Sequence, residues 1–245
     1  MNINKISNFI QQYFNQSFSY GIIMGSGQYI IDGSRKNLSY GDIPGFTRSR
    51  VSGHAGVFSM HTINRKHVLV GAGRFHYYEG YKYNDVVTII DLFNSLGINN
   101  IIITNSSGCL NEGWNLKKLM VADSYIDTTL QVDKSIKKTN FKISNRFKNI
   151  YNECHVGTYA QVLGPAYETI SEVNLLKSLS ANAVGMSTVP EVRRCIDLKK
   201  RFIVICSLTN YASGIIDSVP SHQEVLDNAS ILNNELNRII RLIIL

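Results

Sequence analysis

A chain of 245 residues is long enough to bury one large α/β core, and a composition of 44% hydrophobic and 18% charged residues excludes a disordered or collagenous polymer. The formal charge of +7 admits nucleic acid, a membrane surface or a small anion as partner, but Lys137-Lys138 and Lys199-Lys200-Arg201 are short clusters without interleaved aromatics, which argues against a nucleic-acid groove. The four cysteines, Cys109, Cys154, Cys195 and Cys206, form no C-x-x-C pair, so neither a zinc site nor a disulfide framework is expected, and a reducing cytoplasm suits them.

At the N-terminus Ile3, Ile6, Phe9, Ile10, Tyr13 and Phe14 recur at helical spacing, with Asn and Gln interrupting any run that a signal peptide or membrane span would need. A packed amphipathic helix is expected there. Short β-branched runs then predict strands at 20–24, 67–70, 100–104, 119–122, 155–162, 183–186 and 202–208, with helical patterns at 86–96 and 171–179 between them. The stretch 131–149 lacks apolar runs and reads as a surface excursion ending in a modest helix. At the C-terminus Ser221 and Glu224 form a capping box ahead of Val225, Leu226, Ala229, Leu232, Leu236, Ile239, Ile240 and Ile243 on one broad face, while Arg238 and Arg241 argue against membrane insertion. Alternating strands and helices predict an α/β fold with a mixed, largely parallel sheet covered by helices on both faces. No repeat, low-complexity tract or Pro-rich linker divides the chain, so residues 1–245 are expected to form a single domain.

In such a fold, functional groups gather where strands end. The first strand runs into Gly25-Ser26-Gly27, which a tight turn and a phosphate cradle both explain; Ile30 stands where a dinucleotide fingerprint needs a third glycine. The next ends in Gly71-Ala72-Gly73-Arg74-Phe75-His76, where an extended backbone would turn Arg74 and His76 to the same side, and Glu79 is placed to take one ring hydrogen of His76. Asn105-Ser106-Ser107-Gly108 is expected as a loop offering consecutive N–H groups to an anion, and Gly185-Met186-Ser187-Thr188 as a further small-residue loop. Four such ends suggest a convergent oxyanion site.

From near residue 20 to about residue 226 these and further motifs occur in a fixed order. They include Tyr40-Gly41-Asp42-Ile43-Pro44, Gly53-His54-Ala55-Gly56, Tyr78-Glu79-Gly80-Tyr81, Thr104-Asn105, Gly164-Pro165 with Tyr167-Glu168-Thr169, the block Gly185 through Glu191, Thr209-Asn210, and His222 with Glu224-Val225. The set resembles the trimeric, 6-oxopurine-specific purine nucleoside phosphorylases. That resemblance implies reversible phosphorolysis of inosine, guanosine and their deoxy forms to purine base and ribose 1-phosphate. Inorganic phosphate would be the co-substrate, with no metal or cofactor. The assembly would be a cytoplasmic homotrimer that binds neither nucleic acid nor membrane.

Carried over by position, Ser26, Arg74, His76, the Ser106 backbone and Ser187 would hold phosphate. Tyr78, Met186 and His222 would contact ribose, and Tyr167, Glu168 and Asn210 the base. His76, Glu168 and Asn210 would serve catalysis. Asn210 donates as well as accepts, which suits a 6-keto base, where an Asp would suit a 6-amino one.

The chain also departs from the family pattern. Residues 123–157 are fewer than in the family, where that stretch carries an aromatic covering a neighbour's ribose site, so a more open ribose site is expected. Ser106-Ser107 replaces two alanines, Cys109 replaces a glycine, and Gln28 stands where leucine is common. Two rivals share the pocket: a degenerate nucleoside-binding or sensing protein, and a nucleosidase that uses water. Joint retention of Arg74, His76, Glu168, Ser187 and Asn210 argues against the first, and the dense phosphate-binding set against the second.

Overall fold

The computed structural model describes residues 2–31, 36–47, 55–116, 118–216 and 221–244. In chain order the elements are α1 (Ile3–Phe14), β1 (Tyr20–Met24), β2 (Lys36–Ser39), β3 (Val57–Ile63), β4 (Lys66–Ala72), α2 (Tyr83–Val86), α3 (Thr88–Ser95), β5 (Asn100–Cys109), β6 (Met120–Asp127), β7 (Lys138–Asn140), β8 (His155–Gln161), α4 (Ile170–Ser178), β9 (Ala183–Gly185), α5 (Val189–Asp197), β10 (Arg201–Tyr211) and α6 (His222–Ile243). One-turn and two-turn 3-10 helices add Tyr40–Asp42, Tyr77–Glu79 and Asn145–Ile150.

The strands join one mixed sheet. Parallel pairs link β4, β1, β5 and β10 in that spatial order, and β6, β8 and β9 form a second parallel run. Antiparallel contacts of β6 with β10 and of β9 with β5 close the second run onto the first, so β5, β10, β6, β8 and β9 form a ring. Beyond β4 the sheet ends in the antiparallel β3 and β2, and β7 adds an edge to β6.

Period-two alternation along buried strands explains the layering. Ile23, Leu69, Ile101, Ile103 and Val204 point to one face and pack with Ile6, Ile10 and Phe14 of α1, Ile89, Ile90 and Phe93 of α3, and Val192 and Cys195 of α5. Ile22, Val68, Val70, Ile102, Ile203 and Ile205 point to the other, against Leu232, Leu236, Ile239, Ile240 and Ile243 of α6 and Phe147 and Ile150 of the last 3-10 helix. Val173 and Leu176 of α4 cover a third, smaller cluster with Ile126, Ala160 and Val184.

The sequence-based strands all appear, but β2, β3 and β7 were not anticipated: Lys36–Ser39 and Lys138–Asn140 are short polar edges, and Val57–Ile63 is broken by Ser59 and His61. The helix expected at 86–96 is two helices separated at Val87. Helix α5 was not anticipated either; its nine residues mix Pro190 with four charged side chains, so its apolar stripe is brief. Thr169 and Glu172 make a reciprocal capping box at α4, which places Tyr167 and Glu168 just outside its first turn.

Candidate active site

The sheet opens at β5. Along one edge this strand stays paired with β10 from Asn100 to Cys109, while on the other edge β1 accompanies it only over Ile101–Ile103 and β9 joins only at Gly108 and Cys109. Residues 104–107 therefore have no strand on that side. Beside them lies a cleft of about 760 Å³, open solvent at its mouth included. Its floor is Asn105, Ser106, Ser107 and Gly108.

Segment 105–108 is thus strand and not the loop expected from its composition, because β10 supplies a full ladder for it. Cys109 ends β5 between Ala183 and Tyr211 with an ordinary negative φ, so replacing glycine there leaves no strained turn. Strand β10 likewise runs on to Tyr211, with a bulge at Thr209 that re-aims the chain just before Asn210.

At one end of the cleft, β1 gives way to Gly25-Ser26-Gly27. A Cβ on Gly25 would sit 2.8 Å from the Asn105 Cα and 3.0 Å from the Ser106 nitrogen, so only glycine lets this loop lie against β5. The Ser106 hydroxyl donates to the Ser26 carbonyl at 2.8 Å. Beneath the loop Gln28 is buried with its amide fully used: Oε1 accepts from the Gly25 N–H and the Thr104 hydroxyl, and Nε2 donates to the Asn105 carbonyl and to Ser207 Oγ. Glutamine in the leucine position thus bridges the loop, β5 and β10.

Arg74 follows β4 and is 2% exposed. Its Nε and Nη2 donate to the two carboxylate oxygens of Glu191, 3.1 Å each, and Nη1 to the Thr104 carbonyl at 3.0 Å. Three of five guanidinium hydrogens are consumed, leaving one on each terminal nitrogen. His76 is buried nearby, with Nδ1 3.0 Å from Glu79 Oε1, the contact expected from their spacing. Burial lowers the His76 pKa below the ordinary imidazole value, opposed by the Glu79 hydrogen bond.

Ser187 and Thr188 enter from the start of α5. Thr188 holds φ +87°, a conformation that a β-branched residue adopts only when its surroundings impose it. Those surroundings are the Asn105 amide, which donates to Thr188 Oγ1 at 3.1 Å, and the Tyr159 hydroxyl, which donates to the Ser187 carbonyl at 2.8 Å.

The other end of the cleft is more apolar. Tyr78 stacks on His76, ring centroids 4.7 Å apart. Gly164 keeps φ +76° between Tyr78 and Met186, and a Cβ there would meet the Met186 sulfur at 2.6 Å. Glu168 is buried, and loss of solvent raises its pKa above the usual carboxylate value. Tyr167 stands at the rim, partly exposed, as does His222 at the first position of α6. Buried Asn210 accepts from the Thr209 hydroxyl and donates one amide hydrogen to the Tyr211 carbonyl, leaving the other unused.

All eleven residues singled out from sequence therefore line one cleft: Ser26, Arg74, His76, Tyr78, Ser106, Tyr167, Glu168, Met186, Ser187, Asn210 and His222. Sequence reasoning named Glu191, Gln28 and Asn105 but not the contacts by which they hold these parts: Glu191 on Arg74, Gln28 beneath the loop, and Asn105 on Thr188. It gave Val184 and Val225 no place in the cleft, which both line. Gly53 and His54 of the quoted motifs lie outside the described residues. No described residue of 123–157 lines the cleft.

Residues 19–245 match the family model for the phosphorylase superfamily. Purine nucleoside phosphorylase 1 of Bacillus subtilis is 33% identical over 249 aligned positions, covering 92% of this chain and 91% of the relative. The chain belongs to the purine nucleoside phosphorylase family. The Geobacillus stearothermophilus enzyme of the same name is 30% identical, with 99% and 96% of the two chains covered. Among solved structures, Schistosoma mansoni purine nucleoside phosphorylase in complex with inosine aligns with a TM-score of 0.85 at 26% identity over 99% of this chain and 95% of that one; a complex of the same enzyme with adenosine aligns as well. The single-domain α/β fold and the pentosyltransferase class of this family agree with the sequence-based expectations.

Proposed function

We propose that this protein catalyses reversible phosphorolysis of inosine, guanosine and their deoxy forms, using inorganic phosphate and no metal or organic cofactor. The observation that carries the reading is a single cleft with anion-binding groups at one end and a buried carboxylate and amide at the other. Toward phosphate, the Ser26 hydroxyl, the two spare hydrogens of Arg74, the Ser106 backbone and Ser187 supply donors; neutral His76, with Glu79 taking its Nδ1 hydrogen, offers Nε2 as acceptor for the P–OH hydrogen of hydrogen phosphate. Tyr78, Met186 and His222 contact the sugar, and Tyr167 packs on the purine. Glu168 accepts from N1–H, and Asn210 donates toward O6 and N7.

In the reaction the glycosidic bond breaks with its electron pair leaving on the purine, and a phosphate oxygen bonds to the anomeric carbon. The ribosyl group becomes oxocarbenium-like and is stabilised by the phosphate anion beneath it, while Asn210 relieves the charge arriving at N7 and O6. Assembly as a cytoplasmic homotrimer is part of the proposal. Exposed Leu163, Tyr167, Ile170 and Ile216 on segments around the cleft supply apolar surface for such a contact, and the unpaired buried cysteines suit a reducing compartment. No helix among the described residues is long and apolar enough to cross a membrane. Incubating inosine with and without phosphate tests the activity: ribose 1-phosphate and hypoxanthine are expected only with phosphate. Equal release of free ribose without it would make the protein a hydrolase, and no turnover at all a binding protein.

A further inference from the structure

We propose that helix α6 positions the phosphate loop through Asn233 and Asn237, which makes these two asparagines positioning residues of the reaction. The inference rests on the reading that Ser26 and its loop bind phosphate. Past Met24 the chain leaves the sheet, and its backbone polar groups need other partners. Asn233 donates Nδ2 to the Gly27 carbonyl and accepts the Tyr29 N–H on Oδ1, 3.0 Å each. Asn237 repeats the pattern two residues on, donating to the Tyr29 carbonyl at 2.9 Å and accepting the Ile31 N–H at 3.0 Å.

The match is geometric. Four residues of helix advance about 6 Å, and two residues of extended chain about 6.6 Å, so an i,i+4 asparagine pair reads successive repeats of an extended segment. Each amide faces one N–H and one C=O, which fixes its orientation, since a flipped amide would oppose like to like. Both side chains are buried, and Asn237 spends its second hydrogen on the Asn233 carbonyl of α6 itself.

With the Gly25 N–H held by Gln28 and the Ser26 carbonyl by Ser106, the Ser26 and Gly27 N–H groups are left without a protein partner among the described residues. Ser26 lines the cleft at the end proposed for phosphate, and Gly27 lies between it and α6. The apolar side chains of α6 already dock the helix, so two buried amides add nothing to packing that leucines would not; what they add is a fixed loop. The same helix begins with His222 at the cleft mouth and holds the Thr209 carbonyl through Asn228, next to Asn210.

The test compares wild type with Asn233→Ala, Asn237→Ala and the double variant. It reads KM for phosphate, KM for inosine, kcat at saturating phosphate, and the rise in Tm that phosphate alone produces. Loss of either asparagine is expected to raise the phosphate KM about tenfold or more and to shrink the phosphate-induced Tm rise, with inosine KM within about twofold. Asn233→Ser, which buries no charge and keeps a hydroxyl able to meet only one of the two backbone groups, is expected to fall between and covers the case in which alanine prevents folding.

Asn64→Gly is the control for helix stability. Asn64 donates to the Arg241 and Ile244 carbonyls at the far end of α6, and glycine tolerates its φ of +47°. That variant is expected to lower Tm with the phosphate KM unchanged. An unchanged phosphate KM in the asparagine variants, or an equal rise in Asn64→Gly, would overturn the inference. If wild type shows a phosphate-induced Tm rise but no phosphate-dependent turnover, the functional reading fails alone, and the variants still test the loop through that rise.

Discussion

Glu168 and Asn210 show how single residues set substrate choice. The Glu168 carboxyl loses solvent and gains no cation, so its pKa is raised, burial being the main cause. Ionised, it accepts N1–H of a 6-oxopurine; protonated, it cannot. Activity should therefore fall on the acid side through a pKa above the ordinary carboxylate range, and Glu168→Ala should lower kcat/KM for inosine about 100-fold, as measured by initial rates across pH. The sign for stability is the reverse. A carboxyl with a raised folded-state pKa costs stability once ionised, in full above that value and not at all below the unfolded one, so Glu168→Gln should raise the Tm of the free protein near pH 8 by an amount that shrinks toward about pH 5. For Asn210→Asp, hydrogen-bond polarity predicts a loss of about ten- to a hundred-fold in kcat/KM for inosine, because a carboxylate opposes the 6-keto oxygen. Adenosine activity should rise only weakly, and more at low pH where Glu168 can donate; the ratio of the two kcat/KM values across pH checks this.

Between elements, the cleft depends on joints. Arg74 and Glu191 join the end of β4 to the first turn of α5, both almost fully buried. Removing one partner of such a pair leaves an uncompensated charge, so Glu191→Ala should cost about 3–5 kcal/mol in urea denaturation, whereas a Glu191→Met, Arg74→Met pair should recover much of that loss without recovering activity. The recovery separates the structural part of the pair from the two guanidinium hydrogens that face phosphate. Thr188 is a second joint. Its left-handed backbone is held by Asn105 and the Val189 N–H is capped by Gln161, so the strain at the start of α5 is borne by β5 and β8.

For the whole molecule, the family resemblance leads to the expectation of a trimer, for which the exposed apolar side chains around the cleft offer contact surface, measured as about three times the chain mass by light scattering at working concentration. A monomer with full activity would remove the subunit contact from the site. Most of the architecture was already legible in the sequence, because period-two and helical repeats of apolar residues are local signals: both terminal helices, seven strands, and every cleft-lining residue named from the ordered motifs. Asn233 and Asn237 left a faint trace, two amides four apart beside Leu232 and Leu236, but nothing local says what they bind. Polar edge strands, the continuation of β5 and β10 past their apolar runs, the opening between β1 and β9, and the partners of Arg74, Gln28 and Thr188 were decided by tertiary structure. Each depends on which strand lies beside which, and hydrogen bonds between residues 80 to 206 positions apart, such as Ser106 to Ser26 and Asn233 to Gly27, have no signature in the spacing of either segment.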